Sequence, residues 1–350
     1  MGFSNSALIW VKSYLSGRSQ RVKTQEGFSD WVNLVNGVPQ GSILGPLLFT
    51  VLLCDINNSI KHCKVHLYAD DTQIYICGRL TDIVNMVEKL NSDLQRIHQF
   101  SDANNLLLNI KKCKFIILGS AQHLMRLNNL NIPPIVLGNK SLKREVDVYD
   151  LGMLLDENLT WEKHIDYVIS KAYGKLKTAY LAKNFLSKKS KIAVVEYYIL
   201  SQLSYCNFLM QNLSHKLILK IQKLQNACTR FIFGLRKYDH ISAHFNQLMS
   251  LNMQNRRILN SASLMHKIVN SKAPTYLCSK IRYRNSIHNH NTRGNCKIQI
   301  SNYRNLYGKN RFFRIVAQKY NNFMDIEGIN QDLSIGTFKK RLKQHLLSSQ

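Results

Sequence analysis

The stretch HLYADDTQIYIC, residues 66–77, sets Asp70 and Asp71 side by side where an alternating apolar segment turns back on itself. Two carboxylates at close range repel, and each disfavours ionisation of the other. A divalent cation reverses that penalty, because its charge becomes the largest in the site. Hard oxygen donors of this kind select Mg2+ or Mn2+. The competing account is structural, since aspartate is a common turn residue. Alternation along the first strand puts Val65, Leu67 and Ala69 on one face, and His66, Tyr68 and Asp70 on the other. Both accounts place the pair at the tip of a β-hairpin. Two aspartates alone leave the choice open.

The segments around the pair must position it. SNSALIWVKSYLSG reads as a short amphipathic helix capped by Ser4 or Ser6 and stopped at Gly17. QRVKTQEGFSDWVNLV reads as two strands joined at Glu26-Gly27. NGVPQGSILGPLLFTVLLCDINNSI is a Gly/Pro-rich loop feeding a buried helix, with Pro46 in the first turn, where its missing N–H costs nothing. After the hairpin, the spacing of Ile83, Val84, Val87, Leu90, Leu94 and Ile97 predicts a helix from Thr81 to about Ala103. KFIILG and VYDLGMLL read as further strands. Strands broken by helices without strict βαβ alternation predict an α+β fold with a mainly antiparallel sheet.

After Leu159 strands nearly vanish. WEKHIDYVISKAYGKLKTAYLAKNF, SKIAVVEYYILSQLSYC and HKLILKIQKLQNACTRFIFG all carry helical periodicity. In the last, Leu217, Ile221, Leu224, Cys228 and Phe231 form one apolar stripe, with Lys216, Lys220 and Lys223 off it. Those lysines suit a solvated face or a phosphate-tracking face equally. Residues 271–310 read as loop-rich, and two more helices are expected at about 310–323 and 334–348.

Charge narrows the partners. The chain of 350 residues has a formal net charge of +27. Residues 157–350 carry 32 Lys/Arg against 8 Asp/Glu, so +24 of the excess lies there. Such a field favours a polyanion, a long nucleic acid above all, through counterion release. The eight cysteines (54, 63, 77, 113, 206, 228, 278 and 296) form no CxxC or Cys/His cluster, so no zinc site is suggested. They read as reduced, mostly buried thiols of an intracellular protein. No signal peptide is visible, and ILGPLLFTVLLC falls short of the roughly 20 apolar residues that span a bilayer. No membrane role and no small-molecule cofactor are expected.

VPQGSILGPLLF followed by YADD resembles motifs B and C of reverse transcriptases, especially those of non-LTR retrotransposons of the LINE and jockey-like class. WVKSYLSGRSQRVKTQ resembles the segment leading into motif B. LLLNIKKCKFIILG resembles motif D, with Asn109 and Lys112 in its Asn-x-x-Lys positions. YDLGMLLDENLTWEKHI is similar to the primer-grip strand and the approach to the thumb, KLQNACTRFIFG to a thumb helix, and NTRG through TFKKRLKQHLL to the C-terminal tail. The resemblance thus runs along nearly the whole chain.

It implies an RNA-directed DNA polymerase, in which a primer 3′-hydroxyl attacks the α-phosphate of a deoxynucleoside triphosphate with two Mg2+ or Mn2+ ions about 4 Å apart. Template RNA, DNA primer and deoxynucleoside triphosphates are the implied partners, and the nucleus the implied compartment. Asp70 would be the main metal ligand and Asp71 secondary or outer-shell. Tyr68 would lie near the primer end, and Gly37, Pro39, Gln40 and Gly41 against template and incoming nucleotide. Lys112 would be a cation near the leaving pyrophosphate, or else a strand-edge lysine. Leu151 and Gly152 would form the primer grip; Lys216, Lys220, Lys223 and Arg230 would meet nucleic acid. The implied organisation is a partial palm over 1–118, the end of the palm over 119–158, a helical thumb over 159–235 and a basic C-terminal region over 236–350.

The resemblance also implies a third carboxylate, set in a Phe-Asp dipeptide well before WVKSYL. The chain starts at Met1-Gly2-Phe3, and Asp30 and Asp55, the only aspartates ahead of the hairpin, stand elsewhere. The expectation is therefore an N-terminally truncated copy or an incomplete gene model, without fingers, that lacks appreciable polymerase activity alone. The alternative is a non-enzymatic RNA- or DNA-binding remnant using the basic half.

Overall fold

The computed structural model describes residues 4–248, 250–286, 297–303 and 312–349. It divides into two compact units, Met1–Val148 and Tyr149–Gln350.

The first unit begins with α1 (Asn5–Leu15), whose N-terminus is capped by Ser4 accepting from the Ala7 N–H. Four short strands follow: β1 (Arg18–Gln20), β2 (Lys23–Thr24), β3 (Gly27–Phe28) and β4 (Val32–Leu34). β2 and β3 pair inside the β1–β4 pair, both antiparallel, so the expected hairpin forms with an interrupted ladder. The loop then leads into α2 (Leu44–Cys54), with Pro46 in its first turn. Burial was expected for this helix, but only Gly45 and Leu53 are buried, and Leu47 is 58% exposed. The helix is apolar on every side, and the neighbours that this unit supplies cover only one of them.

After α3 (Ile56–Ser59) come β5 (Lys64–Tyr68) and β6 (Asp71–Tyr75), then α4 (Ile83–Ala103). Val87, Leu94 and Ile97 of α4 are buried as the periodicity predicts. α5 (Ala121–Leu127) and the small hairpin β7 (Val136–Leu137) with β8 (Lys140–Ser141) follow. Val87 and Leu94 pack with Ile135 and Leu137 to form this unit's core. Asn91 locks the arrangement, donating to the Pro134 carbonyl and accepting from the Val136 N–H, each at 2.9 Å. KFIILG does not form the expected strand. Phe115 makes a single bridge to Arg144, and a strand needs a continuing row of partners that this segment lacks.

β9 (Asp147–Asp150) and β10 (Met153–Asp156) pair across a two-residue turn, and the boundary between the units falls within β9. The second unit is helical thereafter: α6 (Glu162–Leu181), α7 (Lys188–Ala193) running into a π-helical segment Val194–Ile199, α8 (Ser201–Ser204), α9 (His215–Phe233), α10 (Ser242–Gln247), α11 (Met253–Ser271), α12 (Thr275–Cys278), α13 (Phe312–Phe323) and α14 (Ile335–Ser348). Leu217, Ile221, Leu224, Cys228 and Phe231 of α9 are all buried, in one core with residues of α6 such as Ile165 and Leu176. α11, α13 and α14 build a second core around Val316, Phe338 and Leu342. α13 and α14 lie within the expected ranges 310–323 and 334–348, of which residues 310 and 311 lie outside the described residues. The NTRG tetrapeptide, residues 291–294, and Cys296 lie outside the described residues.

The architecture is mixed helix with small antiparallel sheets, in agreement with the α+β expectation. The expected single sheet is instead five separate two-stranded ladders among the described residues. The cysteines also differ from expectation: of those described, only Cys228 is buried, while Cys54 and Cys77 are exposed and all are free thiols. No helix of the described residues is long and apolar enough to cross a membrane.

Candidate active site

β5 and β6 are held in register by the pairs Lys64↔Tyr75, Val65↔Ile74, His66↔Gln73, Leu67↔Thr72 and Tyr68↔Asp71. The connecting loop is therefore just Ala69 and Asp70. Two-residue loops need a positive φ at their first position to match strand twist, and Ala69 supplies it at +52°. A residue with a Cβ is strained there, which costs roughly 1–2 kcal/mol.

This register corrects the face assignment. Asp71, directly across from Tyr68, shares the exposed face of the hairpin with His66, whereas Asp70 sits in the turn itself. Val65 and Leu67 are half-buried on the opposite face, as alternation requires. The His66 ring stacks on Tyr75, centroids 5.4 Å apart, so the exposed face carries an aromatic pair.

Asp70 and Asp71 are both exposed. Aspartates that exist to build a turn spend their oxygens on nearby backbone N–H groups. Neither of these side chains makes a hydrogen bond or ion pair with a described residue. Their donor chemistry, exposed hard oxygens on a short rigid loop, fits a divalent cation, with Asp70 and Asp71 as the residues that would hold it. The set is small, however. Among the described residues, no group of three or more His, Cys, Asp or Glu side chains is placed to hold a metal ion.

The loop before α2 is built by its own hydrogen bonds. Ser42 donates from Oγ to the Pro39 carbonyl at 2.7 Å and accepts from the Gly45 N–H at 3.1 Å. A Cβ at Gly45 would lie 3.2 Å from the Pro39 carbonyl oxygen, so glycine allows this closure. Gly37 and Gly41 take φ of +82° and +83°. Gln40 is exposed and Pro39 half-buried. Arg18 anchors the loop from outside, with Nε on the Leu15 carbonyl at 2.9 Å and Nη2 on the Gly37 carbonyl at 2.5 Å. Nothing in the motif pattern pointed to Arg18.

Asp93 is the other residue that sequence reasoning passed over. It is fully buried and accepts from the backbone N–H groups of Lys61, His62 and Cys63 at 3.0, 2.8 and 2.7 Å, while Arg96 also donates to it. Burial alone would raise its pKa, but the three N–H donors outweigh burial and hold it below the usual carboxylate range. Burial and the neighbouring Asp93 push the Cys63 thiol up to about 12. Asp93 thus fixes the segment that feeds β5. The available signal was a charge set within the apolar series Leu90, Leu94 and Ile97.

Lys112 is exposed in a turn, its N–H on the Asn109 carbonyl at 3.0 Å, so the strand-edge alternative does not describe it. In the second unit, Leu151 (φ +42°) and Gly152 (φ +83°) form the β9–β10 turn. The Tyr205 hydroxyl donates to the Leu151 carbonyl at 2.8 Å, and its ring leaves little room for a Cβ at Gly152. Lys216 and Lys220 reach carboxylates on α6, Glu162 at 2.7 Å and Asp166 at 2.6 Å. Lys223 is exposed. Arg230 donates to the Asp239 carbonyl at 3.4 Å, a long contact.

Residues 1–169 match the family model of the reverse transcriptase (RNA-dependent DNA polymerase). The RNA-directed DNA polymerase from mobile element jockey of Drosophila funebris is 26% identical over 239 residues, covering 65% of this chain and 25% of that protein. The probable RNA-directed DNA polymerase from transposon X-element of Drosophila melanogaster is 25% identical over 235 residues, covering 64% and 24%. The chain spans about a quarter of the length of these curated relatives. No solved structure matches it significantly. The matched residues 1–169 hold both the glycine-rich loop and the aspartate hairpin, so this part of the chain is similar to the reverse transcriptase (RNA-dependent DNA polymerase) family.

Proposed function

We propose that this chain is part of a non-LTR retrotransposon reverse transcriptase, carrying palm residues over 1–158, a thumb over 159–235 and a basic C-terminal region over 236–350. The observation that carries the reading is the two-residue hairpin tip, with two exposed carboxylates that have no partner among the described residues, inside the family-matched segment. Bound Mg2+ or Mn2+ would stabilise the attacking and leaving oxygens of nucleotidyl transfer. The chain's own side chains then have distinct jobs. Asp70 and Asp71 are the residues that would hold the ions. Tyr68, on the same face as Asp71, lies beside the primer end. The backbone of Gly37–Gly41, with Gln40, faces template and incoming nucleotide, and glycines there permit close approach. Lys112 offers a positive charge to the leaving pyrophosphate, and the Leu151-Gly152 turn supports the primer strand.

Two adjacent carboxylates without a third ligand hold a divalent ion weakly, so the chain by itself is proposed to lack appreciable polymerase activity. Mn2+ titration followed by NMR tests the site. Amide signals of residues 68–72 should broaden first, and Asp70→Asn should remove the effect. Absence of selective broadening at the tip would refute the metal assignment. Primer extension by this chain, abolished by Asp70→Ala, would refute the proposed inactivity while supporting the polymerase reading. The +24 charge of residues 157–350 favours a second reading, nucleic-acid binding without catalysis, which predicts binding unaffected by Asp70→Asn.

A further inference from the structure

The helical unit contains a positive cluster that the polymerase reading does not use. Arg257, on α11, is only 8% exposed, and no described residue accepts a hydrogen bond from its guanidinium. Asn207, in the short helical turn Asn207–Leu209, is 1% exposed. Its Oδ1 accepts from Asn260 at 2.9 Å, which leaves Nδ2 buried without a partner. Arg257 and Asn207 line one small cavity with five apolar side chains, among them Ile165, Met210 and Met253. The centre of a water-sized sphere can range over about 10 Å3 within it, enough for a single water or one monatomic ion.

A second cation stands near the first. Lys319, on α13, donates to the neutral Gln211 Oε1 at 2.9 Å, and no described carboxylate pairs with it or with Arg257. Burial, together with the nearby Arg257 charge, lowers the Lys319 pKa, and burial lowers that of Arg257. Two desolvated positive charges and an unused amide donor, with no acid among them, are costly unless compensated. A water molecule at this point would accept two hydrogen bonds but would bring no charge.

We infer that Arg257 and Asn207 enclose one small inorganic anion of chloride size, bound where the two cores of the helical unit meet. The neighbouring apolar residues belong to the α6–α9 core, while α11 and α13 build the other, so the ion would fasten one to the other. The apolar lining excludes larger, strongly hydrated oxyanions.

The test measures Tm of the full chain as chloride replaces isethionate at constant cation concentration. Above the dissociation constant, each tenfold rise in chloride should raise Tm by about 3–5 °C. Arg257→Met should be at least as stable as wild type without chloride, because it removes an uncompensated buried charge, and should show no such rise. Lys343→Met, at an exposed position of α14, should keep the wild-type slope, which controls for general screening of a basic protein. Crystals grown in bromide should give an anomalous peak between Arg257 and Asn207. Equal chloride slopes in wild type and Arg257→Met, stabilisation by phosphate or sulfate alone, or no bromide peak at the cavity would each overturn the inference.

Discussion

Asp93 carries more of the local order around the hairpin than either tip aspartate. Its oxygens satisfy three consecutive backbone N–H groups that no sheet or helix would otherwise pair. Each charge-assisted bond of this kind contributes roughly 1.5–3 kcal/mol, so Asp93→Asn should cost on the order of 3 kcal/mol in chemical denaturation. The pH dependence has a definite sign. A carboxyl whose folded pKa lies below its unfolded value stabilises the fold above the unfolded value, 3.8, and loses that contribution as pH falls through the folded pKa. Stability of the wild type should therefore decline below about pH 4, and the Asn variant should decline less over the same interval. Parallel acid profiles for the two proteins would show that the carboxylate is not the group responsible.

At the scale of elements, α9 is held on one side by packing and on the other by ion pairs. Leu224 is fully buried within the stripe, so Leu224→Ala should destabilise the helical unit by about 3–5 kcal/mol, read as a lowered Tm. The opposite side behaves otherwise. Exposed pairs such as Lys216–Glu162 contribute only about 0–1 kcal/mol to stability, yet they commit the lysine charge to α6. The π-helical segment makes a firmer link, because Glu196 takes both Nη atoms of Arg256 on α11, at 2.8 and 2.5 Å. A bidentate guanidinium–carboxylate pair fixes orientation as well as distance. In this way the irregular stretch in the middle of SKIAVVEYYILSQLSYC gains a specific partner.

Across the whole molecule, the uneven charge predicts behaviour that no single residue does. If the basic half meets six to ten phosphates, affinity for RNA or DNA should fall by roughly 10³–10⁵ between 50 and 200 mM salt. Lys223, exposed and without a carboxylate partner among the described residues, should contribute to that slope. Lys223→Ala should shallow it by about 0.9, whereas Lys216→Ala should change it less. A flat salt response would remove nucleic acid as the partner of this half.

The features that were legible from the residues alone are those governed by short-range rules. Alternation around YADD set the hairpin, the 3.6-residue spacing set α4 and α9, and the order of VPQGSILGPLLF before YADD pointed to the family. KFIILG and the helix after VPQGSI were misread for one reason: a strand needs a partner row and a buried helix needs covering neighbours, and neither is local. Which charged groups are already engaged was equally hidden. Lys216 meets Glu162 across 54 positions, and Asp93 reaches back some 30 residues to the chain before β5. Only the tertiary structure brings such partners together, and it alone separates the carboxylates and lysines that hold the fold from those left open to a ligand.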